Sequence, residues 1–498
     1  AEYILPDYQG DIKKVLSSEA RILPTGKFMS GSEAQFAGSV AYEVLYVDSE
    51  RKVTSAACSS DYEYAVPTDA GALDATADMR VSGLNVRLSG PRRISAKCNL
   101  SARVYTTTED SLETSGTALE ADMHPELCEK TLSIRHTVFG ESGEREYTEA
   151  VTSPCTSAES LEILSRGGNA VIKDIRAGEG SDVLTAEMSA YVWVSCDGGV
   201  PTEVTHTWQA EETFDVPDMK EGMAVLGRAT VKDVRATVGA DADGGCALLL
   251  GTTVTYSVRG EENLPLDIVT DGYLFEYECD TKYEDFTYEE FFYCDAGIFS
   301  AEGDFPLSEE DRDLAEILYT KAQIKSLRTL TDEEGVDTVE ADVLVTTVGR
   351  SGDGDGTPRF ITVKNTVSVS EALPPVNGRP EGAKADVDVC LLSAVGTPDG
   401  ENLHIDLTFS YGRTLTVCRT VRRLSCAEAL TDRPTASRRG RVTVYYPSAG
   451  DTLFDIARRY LTTSAALARD NHLTAEAVAT RETPASLSGV EKLLILPE

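Results

Sequence analysis

The residues best equipped for chemistry are few and scattered along this chain. Eleven cysteines (Cys58, Cys98, Cys128, Cys155, Cys196, Cys246, Cys279, Cys294, Cys390, Cys418 and Cys426) include no CxxC pair, the spacing that zinc ligation and redox motifs use. Their odd number and isolation predict reduced, structurally independent thiols, as in a reducing compartment. The five histidines form neither an HxxxH nor an HExxH pair, so no transition-metal site is expected. Asp241-Ala242-Asp243 and Asp353-Gly354-Asp355 open like calcium loops but lack the bidentate glutamate that closes one. A hairpin tip accounts for both. No GxxxxGK[ST] phosphate loop and no GxSxG elbow occurs. The expectation is a protein that binds rather than catalyses, with no cofactor and no metal.

Charge narrows what it can bind. The 498 residues carry 46 Lys and Arg against 83 Asp and Glu, a net charge of −37. That balance excludes a nucleic-acid binder that works by neutralising phosphates, and it opposes adhesion to anionic lipid. A hydrophobic fraction of 41% fits folded domains. No run of about 18 apolar residues is present to cross a membrane as a helix. The length alone predicts three or four domains.

The elements that must position any site recur three times. Asp11-Ile12-Lys13-Lys14-Val15-Leu16-Ser17, Leu161-Glu162-Ile163-Leu164-Ser165 and Leu314-Ala315-Glu316-Ile317-Leu318-Tyr319 each read as a short helix. Each is followed by an alternating strand, over 38–47, 186–195 and 340–349, and by a proline stop at Pro67, Pro217 and Pro374. A second strand closes each copy, over 94–105, 246–258 and 403–417. Order and spacing, with offsets of about 150 residues, predict three homologous units. The expected fold class is mainly β: three repeated β-sandwich-like units with short helices, then a small α+β (βααβ) module. The boundaries are 1–115, 116–265 and 266–430 for the units, 431–441 for a basic linker, and 442–498 for the module. The Tyr- and Glu-rich stretch 273–293 reads as an exposed strand with acidic residues on its wet face.

In the module, Val442-Thr443-Val444-Tyr445 predicts a strand. Asp451 or Thr452 caps a helix with Leu453, Ile456, Ala457 and Tyr460 on one face. A second helix over about 464–469 and a strand over 493–496 complete it. Gly450-Asp451-Thr452-Leu453-Phe454-Asp455-Ile456-Ala457 resembles the GDTLWxIA signature of the LysM family. Asn471 and Leu473 match its NxL, and Gly489 followed by 494–497 matches its closing strand. The resemblance implies a groove that takes N-acetylglucosamine polymers, formed by Gly450, Asp451, Thr452, Leu453, Asn471, His472 and Leu473. Phe454 in place of the family's Trp, with the longer loop 474–488, shifts the expectation toward a protein in that groove.

Upstream, Ile4-Leu5-Pro6-Asp7-Tyr8-Gln9-Gly10-Asp11-Ile12-Lys13-Lys14-Val15-Leu16 resembles the PDxxPDIxxIL opening of a domain repeated in proteins of spore-forming Firmicutes. Gly90-Pro91-Arg92-Arg93-Ile94-Ser95-Ala96 resembles its later PRKINVRA strand. Several such domains before one LysM are similar to the SipL-like spore-coat morphogenesis proteins. That resemblance implies a non-enzymatic coat scaffold in the mother-cell cytoplasm, at the forespore surface. Its partners would be a SpoIVA-type sporulation ATPase and coat proteins. The alternative is a glycan-binding protein of the cell wall or spore cortex. The first unit has only Ala1–Gly10 before its opening segment, so its sheet is expected to stay open, completed by an upstream extension or a second molecule.

Overall fold

The computed structural model describes residues 1–69, 72–108, 123, 125–139, 143–197, 199–240, 246–352, 359–435, 442–448, 450–473, 487 and 490–496. The predicted hairpin tips at 241–243 and 353–355, most of the basic segment 433–441, and the loop 474–488 apart from Leu487 lie outside the described residues, as do Gly489 and Pro497.

Strands dominate, as alternating β-branched and aromatic residues dictate. In chain order they are β1 (Glu2–Ile4), β2 (Ile12–Ser30), β3 (Glu33–Asp48), β4 (Val53–Pro67), β5 (Ala72–Gly90) and β6 (Arg93–Thr108), then β7 (Glu126–Phe139), β8 (Gly143–Thr152), β9 (Leu161–Gly178), β10 (Ser181–Cys196), β11 (Thr202–Asp215), β12 (Ala224–Ala240) and β13 (Cys246–Tyr273). The last long set is β14 (Tyr277–Pro306), β15 (Leu314–Thr331), β16 (Asp337–Ser351), β17 (Phe360–Ala372), β18 (Lys384–Asp399) and β19 (Asn402–Pro434). Three antiparallel meanders result, ordered β2-β3-β4, β11-β10-β9 and β15-β16-β17. Three further sheets are ordered β1-β6-β5, β12-β13-β7 with β8 also on β13, and β14-β19-β18.

The described residues fall into two compact units. The first comprises Ala1–Glu109, Thr137–Glu261 and Phe292–Leu415; the second comprises Asp110–His136, Glu262–Phe291 and Thr416–Glu498. In the second, Val269, Leu274, Leu424 and Ala427 form one small core of the long strands, and the C-terminal module has another. The residues expected to begin a linker at 431 continue β19 as far as Pro434.

The three predicted short helices are strands. They open β2, β9 and β15, and each carries a bulge at its leucine. Val15 and Ser17 face the consecutive residues Tyr46 and Leu45, so Leu16 is the extra residue. Leu164 is extra between Ile163 and Ser165, and Leu318 between Ile317 and Tyr319. One inserted residue turns a two-residue alternation into the three- and four-residue spacing of a helix face. Leu16, Leu164 and Leu318 are all buried in one cluster of the first unit, with Leu45, Trp193 and Val348 opposite the bulges.

Two further expectations are corrected. Cys155 and Cys196 are joined in a disulfide with an S–S distance of 2.06 Å. Their Cα atoms lie 5.5 Å apart because the turn before β9 returns beside the end of β10, a proximity that spacing in sequence does not reveal. The first sheet is also not wholly open: Glu2, Tyr3 and Ile4 pair with Ser95, Ile94 and Arg93. Ala1 and Ala96 then exchange two backbone hydrogen bonds.

Candidate functional site

The C-terminal module is built from β20 (Thr443–Tyr445), α1 (Leu453–Tyr460), α2 (Ser464–Asp470) and β21 (Leu493–Ile495). Its core is Leu453, Ile456 and Ala457 from α1, Leu467 and Ala468 from α2, and Leu493 and Ile495 from β21. Both helices are capped by threonine: Thr452 Oγ1 accepts from the Asp455 N–H at 3.1 Å, and Thr463 Oγ1 from the Ala466 N–H at 2.9 Å. The Thr452 hydroxyl also donates to Asp455 at 2.7 Å.

Two loops carry the predicted groove residues. Gly450 sits at φ +96°, a conformation that side chains oppose. The turn it makes brings the Asp451 carboxylate onto the Ser448 N–H at 2.8 Å and the Tyr445 hydroxyl at 2.7 Å. Those two donors hold the carboxyl below the usual aspartate range. On the second loop, Asn471 Nδ2 donates to the carbonyls of Leu467 at 2.8 Å and Leu494 at 2.7 Å, while its Oδ1 accepts from the Leu494 N–H. His472 follows at φ +56°. Tyr445 pairs with Leu493, and Val444 with Leu494, so the two loops are tied to neighbouring positions of one ribbon. Leu453 and Leu473 pack in the module's core. Surface chemistry is left to Asp451, to the exposed His472 and to the Gly450 turn.

Phe454 does not stand free. Its ring meets Tyr273 at 5.3 Å in an edge-on contact, and the Tyr273 hydroxyl donates to the Thr462 carbonyl at 2.6 Å. Arg458 pairs with Asp271 at 2.7 Å, and Glu126 accepts from the Ser464 N–H at 3.0 Å. The ends of β13 and β7 thus hold the module from one side, and a phenyl ring fills the place beside Tyr273.

A two-helix, two-strand module with capped helices and paired loops is the architecture of a small binding domain. Residues 448–478 match the family model of the LysM domain, and LysM domains bind glycans that contain N-acetylglucosamine. Comparison of the whole chain with curated proteins and with solved structures finds no match.

Two polar clusters of the first unit escaped the sequence reading. Lys321, three residues after Leu318, donates to Glu19 at 2.5 Å and Ser165 at 2.6 Å, with Glu43 at 3.9 Å. Burial alone would lower its pKa, but Glu19, Tyr191 and Glu43 outweigh that and hold it high. The equivalent residues after the other two leucines are Glu19 and Gly167, and a Cβ on Gly167 would lie 2.3 Å from the Tyr191 hydroxyl. On an exposed face, Glu302, His404 and Asp406 place their ligand atoms within 4.8 Å of one another. His404 already bonds Asp304 at 2.7 Å, which raises its pKa. Nothing in the spacing along one strand marks this group, because it is assembled from β14 and β19.

Proposed function

We propose that this chain is a non-enzymatic binding protein whose LysM module takes a glycan containing N-acetylglucosamine, carried by three copies of one β unit. The observation that carries the reading is the LysM match over 448–478, on a module whose two predicted loops are anchored side by side on one ribbon. The three-copy part is supported by the bulged leucines Leu16, Leu164 and Leu318 and by their common cluster. Isothermal calorimetry of the full chain with chitin oligomers tests it. Saturable heat, weakened by Asp451→Ala and by His472→Ala, is expected. Absence of heat with both chitin and peptidoglycan fragments overturns it.

A second reading has its own observation. Arg92 Nη2 donates to the Pro6 carbonyl at 2.6 Å, and Nη1 to the Gln9 carbonyl at 2.9 Å and Asp11 at 3.2 Å. The Ile12 N–H reaches the Pro91 carbonyl at 2.7 Å. The two segments that resemble the repeated spore-coat domain therefore meet in one contact, as parts of one motif do. On this reading the protein is a coat scaffold in the mother-cell cytoplasm, docking on a SpoIVA-type ATPase layer at the forespore surface. A pull-down that offers peptidoglycan and sporulating-cell extract side by side separates the two.

A further inference from the structure

We propose that the depression between the β2-β3-β4 sheet and β9 is an anion site, and that Arg21 and Arg166 hold there the phosphate group of a small hydroxylated phosphate ester. The inference is independent of the LysM reading.

The floor of the depression is set by register. Arg21, Ala41 and Ser59 stand opposite one another across β2, β3 and β4, and Glu19, Glu43 and Ala57 form the adjacent row on the same face. Ala41, Ala57 and Ser59 are short, so the sheet lies low between the longer side chains of Arg21 and Glu43. β9 runs alongside. Its Glu162 accepts from the Thr54 hydroxyl, its Ser165 accepts from Lys321 at 2.6 Å, and Arg166 lines the depression beside Ser59. All of these residues belong to the first compact unit. The space is about 290 Å³, room for several water-sized groups.

Charge points to the ligand. In a chain of net charge −37, cations rarely lack a carboxylate. Among the described arginines, Arg21, Arg93 and Arg166 alone have no hydrogen bond, ion pair or ring contact with another described residue. Arg93 is exposed, whereas Arg21 and Arg166 are half-buried and line the same depression. A guanidinium that gives up water without gaining an acceptor is destabilising. The carboxylates close by are turned to another cation: Glu19 accepts from Lys321 at 2.5 Å, and Glu43 stands 3.9 Å from the same ammonium. Lys321, Arg21 and Arg166 set against Glu19 and Glu43 leave one positive charge uncompensated.

Geometry selects the class of anion. Arg21 comes from β2 and Arg166 from β9, so the two guanidinium forks belong to different walls. One fork occupies both oxygens of a carboxylate, while a tetrahedral phosphate has oxygens for both. Ser59 adds a hydroxyl donor at the same place. Glu43 can only accept when ionised, so the part of the ligand that faces it must donate. Hydroxyl groups on the carbon chain of the ester do so; an alkyl chain does not.

The probes are glycerol 3-phosphate and propyl phosphate, which differ in their hydroxyls, titrated calorimetrically into the full chain at low salt. Saturable binding of both is expected, with glycerol 3-phosphate at least tenfold tighter. Arg21→Gln and Arg166→Gln should each weaken it at least tenfold without lowering the melting temperature of the free chain, because neither side chain has a partner to lose. Arg93→Gln should bind like the parent. Labelling with phenylglyoxal, mapped by mass spectrometry, needs no variant: glycerol 3-phosphate should protect Arg21 and Arg166 and leave Arg93 reactive. No saturable binding, equal labelling with and without ligand, or a lowered melting temperature in Arg21→Gln or Arg166→Gln overturns the proposal. Propyl phosphate bound as tightly as glycerol 3-phosphate overturns the hydroxylated ester, and citrate bound more tightly than either overturns phosphate in favour of a carboxylate.

Discussion

Asp182 in β10 and Asp337 in β16 occupy the same place, eleven residues before the bulge-facing Trp193 and Val348, and only one of them is paired. Asp337 is fully buried between Arg379 at 2.7 Å and Arg413 at 3.2 Å, and it accepts from Thr331 at 2.8 Å. Asp182 is equally buried, and neither of its carboxylate oxygens has a hydrogen-bond partner. The third equivalent position, eleven before Leu45, is Ala34, also buried.

Burial pushes the Asp182 carboxyl from 3.8 up to about 6. The native state then holds a proton that the unfolded chain releases, so stability falls as pH rises from about 4 to about 6 and stays low above that. About 2 units correspond to about 3 kcal/mol. Asp182→Asn should therefore raise stability at pH 7.5 by up to that amount and leave it nearly unchanged at pH 4. Urea melts at the two pH values check this; an equal effect at both would refute it. Asp337→Ala should instead lower stability, by about 3 kcal/mol, because it leaves the buried Arg379 without a carboxylate and Arg413 with Asp295 alone.

Lys321 joins three stretches of chain that are far apart in sequence. Lys321→Met leaves Glu19 half-buried without its cation and Ser165 without its donor, so a loss of about 3 kcal/mol is expected. The double variant Lys321→Met with Glu19→Gln should recover most of it. A double-mutant cycle on thermal melts measures the coupling. A coupling near zero would mean that solvent screens the pair as it does surface pairs.

Much of the architecture was legible because the strands alternate strictly. Val40, Tyr42, Val44 and Tyr46 all lie buried on β3, and the second strands predicted from 94, 246 and 403 lie within β6, β13 and β19. The bulges were not legible. A single extra residue at Leu16, Leu164 or Leu318 mimics helical spacing over so short a segment, and only the partner strand reveals it. In the LysM module the cap was legible to within one residue: Asp451 or Thr452 was expected, and Thr452 caps α1. Asn471 was readable as a groove residue by resemblance, yet its side chain is spent on β21, a contact 23 residues away in sequence. Lys321, Asp182 and His404 gave no signal, since their surroundings come from other strands.

The disulfide closes a long loop. Cys155 and Cys196 are 41 residues apart, and loop-closure entropy for that length amounts to about 4 kcal/mol at 25 °C. Alkylation of the native protein should tag nine thiols, the eleven cysteines less this pair. After reduction it should tag all eleven, and the melting temperature should fall. Eleven tags before reduction would show that the pair is open in solution.

Asn471 separates a clamp from a ligand-binding residue. Its amide donates twice and accepts once, bridging the last turn of α2 to β21. Asn471→Ala removes all three bonds, and at about 1 kcal/mol each, offset in part by solvent, should weaken the module by about 2 kcal/mol. Exchange of the Leu494 amide should then quicken roughly thirtyfold, at 1.4 kcal/mol per factor of ten. Asn471→Asp is the sharper variant. It keeps the acceptor for the Leu494 N–H but turns a carboxylate oxygen toward two carbonyls that need a donor. A clamp therefore predicts that Asp is at least as damaging as Ala, with or without glycan present. Hydrogen exchange on peptides covering 443–445 and 493–495 reads this directly. If Asn471→Asp exchanges like the wild type, the side chain does not hold β21, and its place on the loop is free for a ligand.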